Sequence, residues 1–161
     1  MPEDKVDKIL AQWRVARPDL DCSVMGVVGR LGRTHGQWRH QLDQIFNQYG
    51  LSNIEFDIMA TMRRSGEAVT PTQLYQTLMI SSGAVSKRIE ELVQRNLVQR
   101  IASEQDRRSC KVRLTEQGQV LLDQALNAHV ANMNKMLSPL DPKEQQQLAG
   151  LLKKLLLSEG L

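Results

Sequence analysis

The fold is decided by residues 70–118, whose sequence is TPTQLYQTLMISSGAVSKRIEELVQRNLVQRIASEQDRRSCKVRLTEQG. Thr70 can cap a helix, a proline follows it, and Gln73 stands at the capping-box position, which together predict a helix start. Ser81 is a second capping residue, and the apolar residues after it recur at helical spacing through Val93. The pattern predicts a short helix over 71–78, a tight break, and a second helix that ends near residue 95.

The rest of this stretch is typical of two β-strands. Residues 97–101 are followed by a polar turn over 103–109, and residues 110–114 alternate between apolar and polar side chains. Two short helices joined by a tight turn indicate a helix-turn-helix, and a hairpin with a basic tip after them indicates a wing. The sequence therefore predicts a winged helix-turn-helix.

The charge of the chain is concentrated in the same stretch. Residues 81–113 hold eight basic and four acidic residues, an excess of +4, whereas the whole chain of 161 residues has a net charge of +3. All of the basic excess therefore lies in this segment. A basic face on a winged helix-turn-helix predicts binding to a polyanion such as DNA.

Composition excludes several other classes of protein. Hydrophobic residues make up 41% of the chain and charged residues 24%, which is typical of a soluble globular protein. The first residues do not have the apolar segment of a secretory signal, and no apolar run is long enough to cross a bilayer. Cys22 and Cys110 are too few for a disulfide framework, so we expect a cytoplasmic protein with no membrane association.

Sequence motifs for catalysis or metal binding are absent. His35, His40 and His129 do not have metal-ligand spacing, and the chain contains no nucleophile elbow, phosphate-binding loop or dinucleotide fingerprint. We therefore expect no enzyme activity, no catalytic residue, no metal site and no cofactor.

Residues 74–118 resemble the MarR family of winged-helix transcriptional regulators. The resemblance is carried by SSGAVSKRI at 81–89, LVQR at 97–100, DRRS at 106–109 and VRLTEQG at 112–118. It implies a mainly α fold with a small β-hairpin wing, a homodimer, and binding to a pseudo-palindromic operator in double-stranded DNA. We expect one domain over 1–161, in which residues 51–115 bind DNA and the helices in 1–50 and 116–161 form the dimer.

The residues expected to contact DNA lie on the second helix and at the wing tip. Short side chains and a lysine at the start of a recognition helix can reach base edges, and an arginine at the wing tip suits a narrow minor groove. The expected contacts are Ser81, Ser82, Ala84, Ser86, Lys87, Asp106, Arg107 and Arg108. Without the resemblance, a solvated turn is the favoured interpretation of Arg107 and Arg108.

A narrower resemblance is to the urate-responsive branch of the MarR family. It is carried by Trp13 and by residues 17–21, 25–30 and 55–66. That branch binds its ligand through a tryptophan, an aspartate and two arginines, which by motif fall on Trp13, Asp57, Arg88 and Arg100. The resemblance implies a repressor that a small anionic aromatic ligand such as urate releases from its operator.

Other interpretations of these residues stay open. The effector can be a different phenolic or organic acid, or the chain can be a redox sensor acting through Cys22 or Cys110. Without the resemblance, the favoured interpretations of the four candidate ligand residues are a packed aromatic, a structural ion pair, a phosphate contact and an exposed strand residue.

Overall fold

The computed structural model describes residues 2–102, 110–158 and 160. It is mainly α-helical with one two-stranded antiparallel hairpin, as the sequence predicts. In chain order the elements are α1 (Lys5–Ala16), α2 (Met25–Gln48), α3 (Asn53–Ser65), α4 (Pro71–Leu78), α5 (Ser82–Gln94), β1 (Val98–Ala102), β2 (Cys110–Leu114), α6 (Glu116–Leu137) and α7 (Pro142–Ser158).

The chain divides into two compact units, Met1–Leu42 and Asp43–Leu161. Helix α2 begins in the first unit and ends in the second. The assignment of residues 1–50 and 116–161 to a dimer interface, and of 51–115 to DNA, stays a prediction.

In the first unit, α1 packs against the start of α2. A Cβ atom at Gly29 would lie 3.7 Å from the buried Val6, which is an ordinary packing distance, so the two helices contact each other through these positions. Arg30 on α2 donates to Asp4 at 2.8 Å and to Asp7 at 2.6 Å. The guanidinium of Arg30 holds the pKa of Asp4 down at about 2.

In the second unit, side-chain caps begin several helices, and the helix start predicted at Thr70 is confirmed. The Ser52 and Thr70 hydroxyls accept the backbone N–H groups three residues on, and Glu55 and Gln73 reach back to the capping residues. Thr115 caps α6 in the same way by accepting from the Gly118 N–H. These contacts satisfy backbone donors that the first turn of a helix leaves without partners.

The core of the second unit lies between α3, the helix-turn-helix and the hairpin. Antiparallel pairing places Val98 opposite Leu114 and Arg100 opposite Val112. Val69 adds a short bridge to Val112, with backbone N···O distances of 3.0 and 2.8 Å. The largest fully buried side chains are Leu51, Ile58, Met59, Leu74, Val85, Ile89, Leu92, Val98, Val112 and Leu122.

The terminal helices leave apolar side chains at the surface. Val27 and Val28 near the start of α2 are 68% and 69% exposed, and none of the residues of α7 is buried. The exposed apolar residues of α7 are Leu151, Leu155, Leu156 and Leu157. Among the described helices, none combines the length and the apolar character that crossing a membrane requires.

Candidate nucleic-acid interface and ligand site

A short turn and a serine cap precede α5 and position its first residues. Met79, which ends α4, has a positive φ of 52°, and Ser81 then caps α5 by accepting from the Ala84 N–H at 3.3 Å. The buried stripe of α5 faces the core through Val85 and Ile89. The opposite face is therefore left free for a partner.

The predicted DNA contacts on α5 lie on this outward face. Ser81, Ser82, Ser86 and Lys87 are exposed, and Ala84 is half-buried. Hydroxyls, a methyl group and an ammonium group can read base edges or bind phosphate. The predicted wing contacts Asp106, Arg107 and Arg108 lie outside the described residues.

Ion pairs neutralise three of the basic residues of the segment 81–113. Arg88 contacts Glu91 at 2.7 Å, Arg95 contacts Glu55 at 3.0 Å, and Arg100 contacts Glu90 at 2.6 Å. Within the part of the chain that the structure describes, Lys87, Lys111 and Arg113 make no ion pair. The unpaired positive charge of the described segment therefore lies on the outward face of α5 and on β2.

Arg95 fastens the end of α5 to the start of α3. It donates to the Glu55 carboxylate and, at 2.8 Å, to the carbonyl oxygen of Gly50. Glu55 is only 6% exposed, and it also accepts the N–H and the hydroxyl of Ser52, each at 2.7 Å. A buried carboxylate with three donors has its hydrogen bonds satisfied. The contact therefore fixes the position of the C-terminal end of α5 relative to the start of α3.

The structure brings both predicted ligand arginines to α5. Arg88 lies on that helix, and Arg100 lies on β1 directly opposite the buried Val112. Because opposed residues of an antiparallel pair share one face, Arg100 lies on the core side of the hairpin, from which it reaches Glu90 of α5. The two guanidinium groups therefore both contact carboxylates of α5.

The other two predicted ligand residues, Asp57 and Trp13, do not share the contacts that Arg88 and Arg100 make. Asp57 makes no ion pair with either arginine within the described residues. Its side chain is exposed at the surface, yet the packing around it raises its pKa, against the opposing effects of Arg64 and His129. Trp13 lies on α1 in the unit Met1–Leu42 and is 39% exposed.

One cluster next to Asp57 was missed from the sequence. The rings of Phe46 and Phe56 stack at 4.1 Å, and His129 packs on both, at 5.1 and 5.2 Å. Its Nδ1 atom is buried without a hydrogen-bond partner among the described residues, and burial lowers the pKa of His129. The three residues come from α2, α3 and α6, so no local spacing in the sequence connects them.

The thiols and the acidic and imidazole groups are dispersed. Cys22 is buried and Cys110 is half-buried, and both are free thiols. In the described ranges 2–102 and 110–158, no three histidine, cysteine or acidic side chains come together as metal ligands would.

Comparison with known proteins identifies relatives over nearly the whole chain. A sequence model of the MarR family matches residues 49–109. The transcriptional regulator PecS of Dickeya dadantii (strain 3937) is 39% identical over 150 residues, which cover 92% of this chain and 90% of that protein.

Solved structures confirm the fold. The crystal structure of AbsC, a MarR family regulator from Streptomyces coelicolor, matches with a TM-score of 0.78 at 23% identity, over 88% of this chain and 98% of that one. A variant of MarR from E. coli in complex with operator DNA matches with a TM-score of 0.71 at 21% identity, over 89% of this chain and 97% of that one.

Proposed function

Because the chain belongs to the MarR family of winged-helix DNA-binding transcriptional regulators, we propose that it is a homodimeric repressor released from its operator by a small anionic aromatic ligand such as urate. The relatives that it matches are transcriptional regulators rather than enzymes, in agreement with the expectation that it has no catalytic activity.

The DNA-binding half of the proposal rests on the outward face of α5. Ser81, Ser82, Ala84, Ser86 and Lys87 contact the major groove, and Asp106, Arg107 and Arg108 form the wing contact in the adjacent minor groove. The E. coli protein of the same fold was solved in complex with operator DNA, which supports the proposal that this chain binds DNA.

The dimer is supported by the apolar residues that the protomer leaves exposed. Residues 1–50 and 116–161 form its interface, and the exposed leucines of α7 and valines of α2 supply apolar area for a second copy to cover. A symmetric dimer presents two recognition helices to half-sites that lie about 34–36 Å apart, which accounts for a pseudo-palindromic operator.

The ligand site consists of Trp13, Asp57, Arg88 and Arg100. The observation that carries it is that Arg88 and Arg100, which lie on different elements, both contact carboxylates of α5. An anion bound by these two guanidinium groups interacts directly with the helix that reads DNA. The indole of Trp13 offers a flat face for an aromatic ring, and the arginine forks offer in-plane hydrogen bonds.

Two substitutions test the ligand site. In Trp13→Ala and Arg88→Ala, urate is expected to have lost its effect on operator affinity, while Arg39→Ala is the matched control, because Arg39 is exposed on α2 and makes no ion pair among the described residues. Fluorescence anisotropy of a labelled operator duplex measures the operator affinity of each variant in the absence and in the presence of urate. An unchanged urate response in both variants would refute the assignment of the site.

A third substitution tests the wing. Arg108→Ala is expected to weaken operator binding and to lower the slope of log affinity against log salt by about 1, since one phosphate contact is removed. An unchanged affinity and slope would place Arg108 away from DNA.

A further inference from the structure

The two arginines of the proposed ligand site already have anionic partners. Arg88 Nη1 lies 2.7 Å from Glu91 Oε2, and Arg100 Nη2 lies 2.6 Å from Glu90 Oε2. Both glutamates belong to α5, the helix that carries the DNA contacts. An incoming anion therefore meets guanidinium groups that are each occupied by a carboxylate of the recognition helix.

The geometry of these ion pairs makes them replaceable. Each pair has a single hydrogen bond, whereas a guanidinium can offer two parallel N–H groups to a planar acceptor. The Arg88 and Glu91 side chains are each 34% exposed, and Arg100 and Glu90 are about half exposed, so water screens both pairs. Ion pairs of this kind contribute little to stability, and a ligand with a flat acceptor edge competes with them favourably.

We propose that Glu90 and Glu91 occupy the ligand site in its resting state, and that the effector acts by exchange, taking over both arginines and releasing both carboxylates. This inference rests on the proposed function, since Arg88 and Arg100 are its ligand residues. It specifies the ligand class as an anion with two acceptor edges, one for each guanidinium.

Exchange also provides a mechanism for release from DNA. In the resting state the charges of Glu90 and Glu91 are compensated by the two arginines. When the effector takes the arginines, both carboxylates are left unpaired on the helix that approaches the phosphate backbone, and they repel it. The effector thereby binds more tightly to the DNA-free protein than to the complex, which is the differential affinity that allosteric release requires.

The mechanism predicts opposite effects on two measurable quantities. Removing the competing carboxylates with Glu90→Gln and Glu91→Gln is expected to tighten urate binding to DNA-free protein two- to fivefold for each substitution. In the same variants, saturating urate is expected to weaken operator binding less than in the wild type. If the two glutamates had only a structural role, their substitution would not tighten urate binding and at the same time reduce the effect of urate on operator affinity.

The experiment is a urate titration of the full chain by isothermal calorimetry, paired with operator anisotropy in the absence and presence of saturating urate. Glu67→Gln is the matched control, because it removes the same charge from an exposed residue that makes no ion pair among the described residues. Circular dichroism and thermal unfolding establish that each variant is folded.

The outcomes separate this inference from the proposed function. If urate binds the wild type and releases DNA, but Glu90→Gln and Glu91→Gln behave like Glu67→Gln, the exchange mechanism is wrong and the proposed effector site stands. If urate neither binds the wild type nor affects its operator affinity, the proposed effector function is wrong and the exchange inference is wrong with it. Tighter urate binding together with weaker release in both variants supports the exchange.

Discussion

Replacing Gly118 with alanine is expected to lower the free energy of unfolding by about 2 kcal/mol. A Cβ atom at this position would lie 1.9 Å from the carbonyl oxygen of Leu97, whereas real contacts are longer than 3.0 Å. The carbonyl cannot withdraw freely, because it accepts the Thr115 N–H at 3.1 Å and the Leu97 N–H is bonded to Leu92 at 3.0 Å. Relief of the clash must therefore shift α6 away from the hairpin or break the Thr115 hydrogen bond.

The magnitude follows from three contributions. Forced overpacking costs about 1–3 kcal/mol, and loss of the Thr115 hydrogen bond costs about 1 kcal/mol. The higher helix propensity of alanine offsets this loss of stability by at most about 1 kcal/mol. For a chain of this size, a net loss of about 2 kcal/mol lowers Tm by about 4–8 °C.

Urea unfolding followed by circular dichroism measures this loss, at one protomer concentration for every variant because dimerisation stabilises the folded state. Gly150→Ala on α7 is the matched control, since a Cβ there would meet nothing within 4 Å, and it is expected to raise stability by up to about 1 kcal/mol. If Gly118→Ala were as stable as Gly150→Ala, the close approach of Leu97 would not be what requires a glycine at position 118.

Arg95→Met is expected to cost about 1–3 kcal/mol in urea unfolding, because it leaves the buried Glu55 carboxylate without its cation, and adding Glu55→Gln should recover part of the loss. His129→Phe is expected to reduce the pH dependence of stability. The lowered pKa of His129 means that the unfolded chain takes up the proton first, so wild-type Tm should fall more steeply than that of the variant as pH drops below about 6.5; parallel Tm profiles would contradict this. Met79→Gly should be neutral or stabilising by about 0.5 kcal/mol, since Met79 has a φ of 52° and is 75% exposed, and a loss above about 1 kcal/mol would contradict it.

Most of the fold could be predicted from local sequence signals. Capping residues act within one turn, so Thr70 and Ser81 predict helix starts that the structure confirms. The second strand is confirmed at 110–114, whereas the sequence predicts the first strand one residue early, because Leu97 is apolar like a strand residue. Its carbonyl instead accepts the Thr115 N–H before β1 begins at Val98.

The candidate site was less predictable because its contacts are not local. The spacing of Arg88 and Glu91 permits an ion pair within one helix, so that contact was available from the sequence. The contact of Arg100 with Glu90 joins a strand to a helix, and the packing of His129 on Phe46 and Phe56 joins three helices. Such contacts depend on how the helices and strands pack together, and residue spacing along the chain does not determine that packing.

The central claim is that a small anionic aromatic ligand releases this regulator from its operator. The most direct test is anisotropy of labelled DNA from upstream of its own gene, titrated with wild-type protein across a salt series with and without urate. We expect binding that weakens steeply as the salt concentration rises, and we expect urate to shift the binding curve to higher protein concentration at every salt concentration. Salt-dependent binding that saturating urate leaves unchanged would contradict release by urate.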